Sequence, residues 1–169
     1  MRPQNLLFIC MGNICRSPAA HAVMENLNQK HRLGWRIDSC GTDAFHQGAA
    51  PDRRMQRELI QQGYPKFQHT AQRFRLDMAY QFDLLLAMDF HNYDRISEHI
   101  RHDKELLVKL HLFRDFDPQM PPSQRGQVPD PYYNGEKSFR EVFQMIERTC
   151  EHLVQKFAPP KKTDVSLTS

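Results

Sequence analysis

The stretch FICMGNICRSPAA, residues 8–20, passes from an apolar run through a short loop of small and polar residues to the start of a helix. Residues 6–9, LLFI, form the short continuous apolar run that is typical of a strand buried on both faces of a parallel sheet. Pro18 suits the first turn of a helix because its backbone angle is already helical. Residues at helical spacing follow it: Ala19, Ala22, Val23, Asn26 and Leu27. The sequence therefore predicts a strand, a tight loop and a helix in immediate succession.

The same alternation of strand and helix signals continues along the chain. Apolar or alternating runs predict further strands at residues 35–39, at 82–88 and within 106–112. Such alternation predicts an α/β fold with three layers, α/β/α, around a central four-stranded parallel sheet. We expect residues 1–158 to form one domain and the polar segment 159–169 to be a flexible tail.

Local signals predict where the later helices begin. Pro51 opens a second helix, and Asp89 is placed to cap a third. Ser138 with Glu141 three residues later matches a capping box, which predicts the start of a long last helix.

Composition excludes several classes of protein. The chain has 169 residues and a net charge of +3, with charges of both signs mixed and no basic run that would indicate nucleic-acid binding. It has no apolar segment long enough for a membrane span and no signal-peptide pattern, so we expect a soluble, cytoplasmic protein. Four scattered cysteines fit a reducing compartment. The nine histidines lack metal-ligand spacing, so we expect neither metal nor cofactor.

The loop after the first strand has the chemistry of an anion site. Backbone N–H groups before a helix N-terminus attract negative charge, and Gly12 and Asn13 tolerate the positive backbone angles of a tight loop. The planar fork of Arg16 can hold two oxygens of a phosphate. The same positive groups would favour a thiolate at Cys10, which is separated from Arg16 by five residues. A phosphate-binding loop whose floor is a nucleophilic sulfur predicts phosphoryl transfer.

The motif CMGNICRSP, residues 10–18, resembles the signature of the low-molecular-weight protein tyrosine phosphatases. The resemblance covers nearly the whole chain, because further family motifs occur in the family's order. They are WRIDS (35–39), GYP (63–65), His69, Met88 and Asp89 with Asn92, FDP (116–118) and DPYY (130–133).

The resemblance implies a role for each matching residue. Cys10 is the nucleophile, Arg16 clamps the phosphate, and Asp130 is the general acid and base. Ser17 hydrogen-bonds the sulfur. The remaining phosphate-loop residues are Met11, Gly12, Asn13, Ile14 and Cys15, and the loop is supported by a network of Asn13, Ser39 and His69. The walls of the substrate cleft are Met11, Phe45, Tyr132 and Tyr133.

Three positions or segments depart from the family's pattern. His46 stands where many relatives have an acidic or polar residue, and Gln72 stands where the family has arginine. The loop that carries Asp130 is longer than usual around residues 121–127, which affects the reach of that carboxyl.

The resemblance also implies redox behaviour and partners. Cys15 is expected to form a reversible disulfide with Cys10 that guards the nucleophile, whereas Cys40 and Cys150 are expected to be core residues. The partners would be phosphotyrosine proteins, among them a tyrosine kinase, and the protein would be mainly a monomer with weak self-association.

Other functions of the same fold remain open. In the related protein-arginine phosphatases the position of Ile14 is typically threonine, so Ile14 favours phosphotyrosine. An arsenate reductase would need further cysteines, and none lies between Cys40 and Cys150. A phosphotyrosine-binding module without catalysis would not need Cys10, Arg16 and Asp130 together.

Overall fold

The computed structural model describes residues 2–160, in which four parallel strands form one sheet with the order β2-β1-β3-β4. The strands are β1 (Asn5–Cys10), β2 (Arg36–Gly41), β3 (Leu84–Ala87) and β4 (Leu110–Leu112). Residues 161–169 of the expected tail lie outside the described residues.

Six α-helices connect or follow these strands within residues 2–160. They are α1 (Arg16–His31), α2 (Arg53–Gln61), α3 (Leu76–Gln81), α4 (Phe90–Ile100), α5 (Lys104–Leu107) and α6 (Glu136–Phe157), with a 3₁₀ turn at Phe113–Phe116.

The sheet lies between two helical layers, which confirms the predicted three-layer α/β/α fold. Successive side chains of a strand point to opposite faces, so Leu6 and Phe8 pack into one core and Leu7 and Ile9 into the other. The first core contains residues of α1, α2 and α6, and the second contains residues of α3, α4 and α5. All four side chains are fully buried, which explains why the first strand is a continuous apolar run.

The strand order reverses direction beside β1, and this reversal positions the site. The chain passes from β1 to β2 on one side and later returns to β3 on the other. In open α/β sheets a crevice forms at the carboxyl ends of the strands at such a point. Cys10 is the last residue of β1, so the loop that follows it lies in this crevice.

The start of the last helix differs from the prediction. Helix α6 begins at Glu136 after Gly135, and Ser138 already lies in its first turn, where its N–H donates to the carbonyl of Gly135 at 2.9 Å. The capping box was therefore wrong, because a turn closed by Asn134 and Pro131 brings the chain into the helix before Ser138. The caps at Asp52 and Asp89 form as side-chain hydrogen bonds to the backbone N–H groups of Arg54 and Asn92.

A buried carboxylate ties α6 to the segment that follows β4. Asp117 accepts hydrogen bonds from Arg114 at 2.9 Å and from two nitrogens of Arg148, each at 2.9 Å, and its side chain is fully buried. Burial acts to raise the pKa of Asp117, but the hydrogen bonds from Arg148, the backbone of Gln119 and Arg114 outweigh it and hold the pKa below its ordinary value.

Replacing this carboxylate is expected to destabilise the fold. Asp117→Asn should lower the free energy of unfolding at pH 7 by about 2 kcal/mol, because it leaves two guanidinium groups without their buried partner. Since the folded-state pKa is depressed, this stabilisation is present above the unfolded carboxyl pKa of about 4 and is lost as the pH falls through the folded value. Urea unfolding at pH 7 and in acid would measure both effects.

The control is Glu141→Gln, which removes an exposed partner of Lys137 at 3.8 Å. Exposed ion pairs contribute little, so this variant should change stability by less than about 0.5 kcal/mol. Equal losses in the two variants would contradict a special role for Asp117.

Candidate active site

The loop between β1 and α1 has one left-handed residue and one close backbone approach. Asn13 has φ 55, the left-handed conformation that asparagine tolerates. Gly12 does not have a positive φ, contrary to the expectation; a Cβ there would lie 2.8 Å from the ring of His46, whose side chain would have to shift. A Cβ at Gly41, in register with Cys10, would lie 2.6 Å from the carbonyl oxygen of Met11.

The Cys10 sulfur is buried and hydrogen-bonded from the loop. Its Sγ lies 3.0 Å from the Oγ of Ser17 and accepts a hydrogen bond from the backbone N–H of Asn13 at 3.3 Å. Only 3% of Cys10 is exposed, and Ser17 is fully buried. The sulfur therefore faces donors from the loop and the first turn of α1, as the sequence predicted.

The Asn13 side chain joins the loop to two neighbouring segments. Its amide nitrogen donates to Ser17 Oγ at 2.9 Å and to Ser39 Oγ at 3.1 Å. Its amide oxygen bonds the Nε2 of His69 at 2.8 Å and the backbone N–H of Gln72 at 3.0 Å. The structure thus brings together the predicted supporting residues.

Gln72 and His21 extend this network beyond the prediction. The Gln72 amide donates to Asp38 Oδ1 at 3.1 Å and to the carbonyl of Ser39 at 3.0 Å, so glutamine makes specific contacts at this position. His21 Nδ1 lies 3.0 Å from Ser39 Oγ. No sequence signal pointed to His21, because it does not fall on any of the family motifs quoted above.

Burial lowers the pKa of both histidines of the network. Burial, helped by neighbouring His69 and opposed by Asp38, lowers the pKa of His21 to about 4. Burial also lowers the pKa of His69, again opposed by Asp38. A neutral His69 can donate its Nε2 proton to the Asn13 carbonyl oxygen while its ring carries no charge.

Arg16 is a buried guanidinium with three oxygen partners. Its Nη1 donates to Asp89 Oδ2 at 2.7 Å and to the carbonyl of Val128 at 2.9 Å, and its Nη2 lies 3.6 Å from Asp130 Oδ2. Only 2% of Arg16 is exposed. Burial acts to lower the pKa of Arg16, but Cys10, Asp89 and Asp130 raise it above its ordinary value.

Asp89 therefore does more than cap a helix. Its Oδ1 accepts from the backbone N–H of Asn92, while its Oδ2 holds Arg16. Asp89 follows the third strand, at the same edge of the sheet as Cys10. This position could have indicated the contact with Arg16 from the sequence.

The loop that carries Asp130 is anchored close to that residue. The N–H of Val128 donates to the carbonyl of Met88 at 2.7 Å, and Val128 is fully buried. The side-chain oxygen of Gln127 accepts from the N–H of Phe90 at 2.8 Å. Asp130, 39% exposed in its side chain, accepts from the N–H of Tyr132 at 3.0 Å. The longer loop thus still brings this carboxyl to Arg16.

A cleft of about 230 Å³ opens above the sulfur. Tyr132 and Tyr133 form one wall, with their ring centroids 4.9 Å apart. Arg54 supports this wall by donating to the Tyr132 carbonyl at 2.7 Å and packing over its ring. The residues that line the cleft are Cys10, Met11, Gly12, Ile14, Cys15, Arg16, His46, Asp130, Tyr132 and Tyr133.

Phe45 does not lie among these residues. It is 84% exposed, and the neighbouring His46 lines the cleft in its place. The sequence could not separate these two because adjacent loop residues point in different directions.

The four cysteines have different surroundings, and all are free thiols. Cys15 lines the cleft and is 4% exposed, whereas Cys40 and Cys150 are fully buried in the two cores. Burial is the main cause that raises the pKa of all three, and at Cys15 the neighbouring Cys10 and Asp52 raise it further.

Together these features define the class of protein. A thiol at the floor of a phosphate-shaped loop, a buried guanidinium beside it and a carboxyl over the same cleft are the parts of a cysteine-dependent phosphatase.

Comparison with known proteins identifies the family. Residues 5–163 match the family model described as low molecular weight phosphotyrosine protein phosphatase. The chain belongs to this family. The phosphatase of that name from Gallus gallus is 34% identical over 155 residues, which cover 90% of this chain and 95% of the relative.

Two solved structures are also similar. A protein tyrosine phosphatase from Entamoeba histolytica, crystallised with Hepes in its active site, has a TM-score of 0.82 and 37% identity, and the match covers 90% of this chain and 96% of that one. A Drosophila arginine phosphatase has a TM-score of 0.81 and 28% identity, covering 97% and 99% of the two chains.

The Asn13 network generates a prediction about phosphate binding. Asn13→Gly keeps the left-handed backbone accessible but removes all side-chain contacts, so inorganic phosphate should bind at least about tenfold more weakly, or ~1.4 kcal/mol. Isothermal titration of phosphate into the two proteins would measure this change.

Asn13→Ala separates the hydrogen bonds from the backbone. It loses the same contacts and adds about 1 kcal/mol of left-handed strain, so it should be less stable than the glycine variant. Phosphate binding by Asn13→Gly at the strength of the unmodified protein would refute a supporting role for the amide.

Proposed function

We propose that this protein hydrolyses phosphotyrosine in two displacements, with Cys10, Arg16 and Asp130 as the reacting and charge-stabilising groups. In the first step, the Cys10 sulfur attacks phosphorus, an S–P bond forms, and the bond from phosphorus to the phenolic oxygen breaks. The Asp130 carboxyl gives its proton to that oxygen. In the second step, water attacks phosphorus, its proton goes to the Asp130 carboxylate, and the S–P bond breaks to release phosphate. The observation that carries this proposal is the convergence of these three side chains on one cleft.

The loop stabilises the phosphoryl group as it is transferred. Its three equatorial oxygens carry negative charge, which the loop N–H groups, the N-terminus of α1 and Arg16 would meet. Asp89 and Val128 both bind Nη1 of Arg16, and its Nη2 lies on the side of Asp130. In this proposal Asp89 is a positioning residue. Ser17, 3.0 Å from the sulfur, would stabilise the thiolate as it leaves in the second step.

The cleft walls support an aromatic substrate. The rings of Tyr132 and Tyr133 meet edge to face at 77° beside the cleft, and Met11 and Ile14 add apolar surface near the sulfur. A phenyl ring would fill this space, whereas the shorter phosphoserine would leave the walls uncovered. Phosphoproteins with exposed phosphotyrosine are therefore the proposed substrates, and Phe45, on the surface outside the cleft, could contact only the surrounding peptide.

Two alternatives receive less support from the site. Arsenate reduction would need a thiol relay, but Cys40 and Cys150 are fully buried. Phosphoarginine hydrolysis is the function named for the similar Drosophila protein. Here Ile14 lines the cleft, where the arginine phosphatases typically have threonine.

The first test of the proposal compares substrates with different leaving groups. Cys10→Ser should abolish turnover of p-nitrophenyl phosphate and of phosphotyrosine peptide. Asp130→Asn should lower kcat for phosphotyrosine by about 10²-fold or more, because tyrosine, with a pKa near 10, leaves poorly without a proton. The loss should be smaller for p-nitrophenyl phosphate, which has a far better leaving group.

The matched control is Asp115→Asn, since Asp115 pairs with Arg125 on the outside of the same segment at 3.1 Å. It should change kcat less than about twofold. Equal losses for both substrates in Asp130→Asn would place the acid elsewhere. Faster turnover of phosphoarginine peptide than of phosphotyrosine would favour the arginine phosphatase, and tight phosphotyrosine binding without any turnover would favour a binding module.

We also propose that Cys15 protects the nucleophile from oxidation. Peroxide would convert the Cys10 thiolate to a sulfenic acid, and the Cys15 thiol would displace water from it to form a disulfide. Burial is the main cause that raises the pKa of Cys15, and the charge of Cys10 raises it further, so oxidation of Cys10 would remove one of these two effects.

This role predicts a difference in recovery. After peroxide treatment, dithiothreitol should restore most activity to the unmodified enzyme but little to Cys15→Ser, in which Cys10 proceeds to irreversible acids. Cys150→Ala, altered in the core, should recover like the unmodified enzyme. Full recovery of Cys15→Ser would contradict the proposal.

The proposal also covers the cellular location of the protein and the class of its partners. A helix of the length and apolarity that a bilayer requires does not occur in residues 2–160. Four free thiols fit a reducing compartment, so we propose the cytoplasm. A monomer, with weak self-association at most, would leave the cleft open to phosphotyrosine proteins, including a tyrosine kinase.

A further inference from the structure

Three potential metal ligands meet on the outer side of the network that supports the phosphate loop. His21 belongs to α1, Asp38 to β2 and His69 to the segment after α2. A ring nitrogen of each histidine and a carboxylate oxygen of Asp38 all lie within 4.8 Å of one another. All three residues are half-buried, and none of them lines the substrate cleft. Sequence spacing gave no sign of this cluster, because its members come from three separate segments.

The two imidazole rings are held in place by a shared aromatic neighbour. The Phe67 ring is stacked on His69 with centroids 5.7 Å apart, and it meets His21 edge-on at 4.8 Å. The two histidine rings lie 5.4 Å apart. Rings fixed in this way lose little conformational freedom when they bind an ion.

The donor set has a definite chemical preference. Two neutral imidazoles and one carboxylate suit Zn²⁺ and similar divalent transition metals rather than Mg²⁺ or Ca²⁺, which prefer oxygen ligands alone. Donor-to-zinc distances of about 2.0–2.2 Å require the three donor atoms to move about 1 Å closer together. Ser39 Oγ lies 3.0 Å from His21 Nδ1 and 3.4 Å from His69 Nε2, so it links the two rings.

We propose that His21, Asp38 and His69 form a Zn²⁺ site, with water as the fourth ligand, and that zinc bound there inhibits the enzyme. This site is separate from the thiols of the cleft.

Inhibition follows from the contacts that the ligands make now. His69 Nε2 bonds the Asn13 oxygen at 2.8 Å, and Asp38 Oδ1 accepts from Gln72, whose backbone N–H bonds the same Asn13 oxygen. Drawing His69 and Asp38 toward a metal would weaken both supports of Asn13. The loop would then lose the shape that presents its N–H groups to phosphate. The inhibitory consequence rests on the proposed function, but zinc binding itself does not.

The first experiment removes the competing thiols and uses Zn²⁺ alone. The double variant Cys10→Ser, Cys15→Ser should bind one Zn²⁺ per chain in isothermal titration. Zinc should shift the imidazole nitrogen resonances of two histidines in NMR spectra, and these should be His21 and His69. Absence of binding, or shifts at other histidines, would overturn the proposal without any reference to catalysis.

A second readout uses Co²⁺ in the same double variant. Cobalt should give the visible bands of a tetrahedral nitrogen and oxygen site without a sulfur charge-transfer band. In that background, His21→Gln and Asp38→Asn should each weaken Zn²⁺ binding more than about tenfold, because each variant removes one ligand of the proposed site. His31→Gln, at an exposed position of the same helix, is the matched control and should bind like its parent. Equal binding by His21→Gln and His31→Gln would overturn the site.

A kinetic experiment tests whether zinc bound at this site inhibits the enzyme through the phosphate loop. In enzyme with both thiols intact, each variant is compared with its own metal-free rate under Zn²⁺ buffering. His21→Gln should require more than about tenfold higher free Zn²⁺ for half inhibition than His31→Gln. If the two variants were equally sensitive to Zn²⁺, inhibition would be assigned to the thiols and the proposed coupling would be overturned. If no variant turned over substrate even without metal, the proposed function would be refuted, but the binding results would be unaffected.

Discussion

The site is organised around the charge of one buried guanidinium. A fully desolvated positive charge is costly unless oxygen atoms surround it, and Arg16 obtains three of them from two separate parts of the chain. Asp89 follows β3, Val128 belongs to the long loop before α6, and Asp130 lies two residues beyond it. Satisfying Arg16 therefore requires the third strand and the acid loop to be in place beside the first strand. The same requirement brings a carboxyl next to the sulfur, so stability of the site and its chemistry share one set of contacts.

Much of the architecture follows from local sequence. The apolar run of residues 6–9 predicted a strand buried on both faces, and the reversal of strand order beside it became visible only in the structure. The family signature pointed to Cys10 and Arg16, which the structure brings to one cleft, and to Asn13 and Ser17, whose side chains lie behind the sulfur. Local sequence goes this far because the segment from β1 to α1 is continuous, and its geometry depends mainly on its own residues and on the neighbouring strand.

The failures involve contacts between distant segments. Whether Phe45 or His46 faces the cleft depends on the contacts of their loop, in which His46 lies beside Gly12 and Tyr132. Hydrophobic periodicity predicts helices and strands, but it does not predict the conformation of such a loop. In the sequence, Gly41 resembles any other strand residue. In the structure, a Cβ at this position would lie 2.6 Å from the carbonyl oxygen of Met11. Ser138 matched a capping box, but the turn before it determined where the helix began. In each case a tertiary contact outweighed a correct local preference.

The anchoring of the acid loop also bears on how this family can vary. Asp117 is fixed by two arginines, and Val128 is fixed by the carbonyl of Met88. Between these two points, residues 118–127 cross the surface, folded back on themselves where Met120 packs against Gly126. A change in the length of this segment is absorbed as a larger or smaller bulge, while both ends stay where they are. The length of this surface segment can therefore change while Asp117 and Val128 keep their contacts, which leaves the position of Asp130 beside Arg16 unaltered.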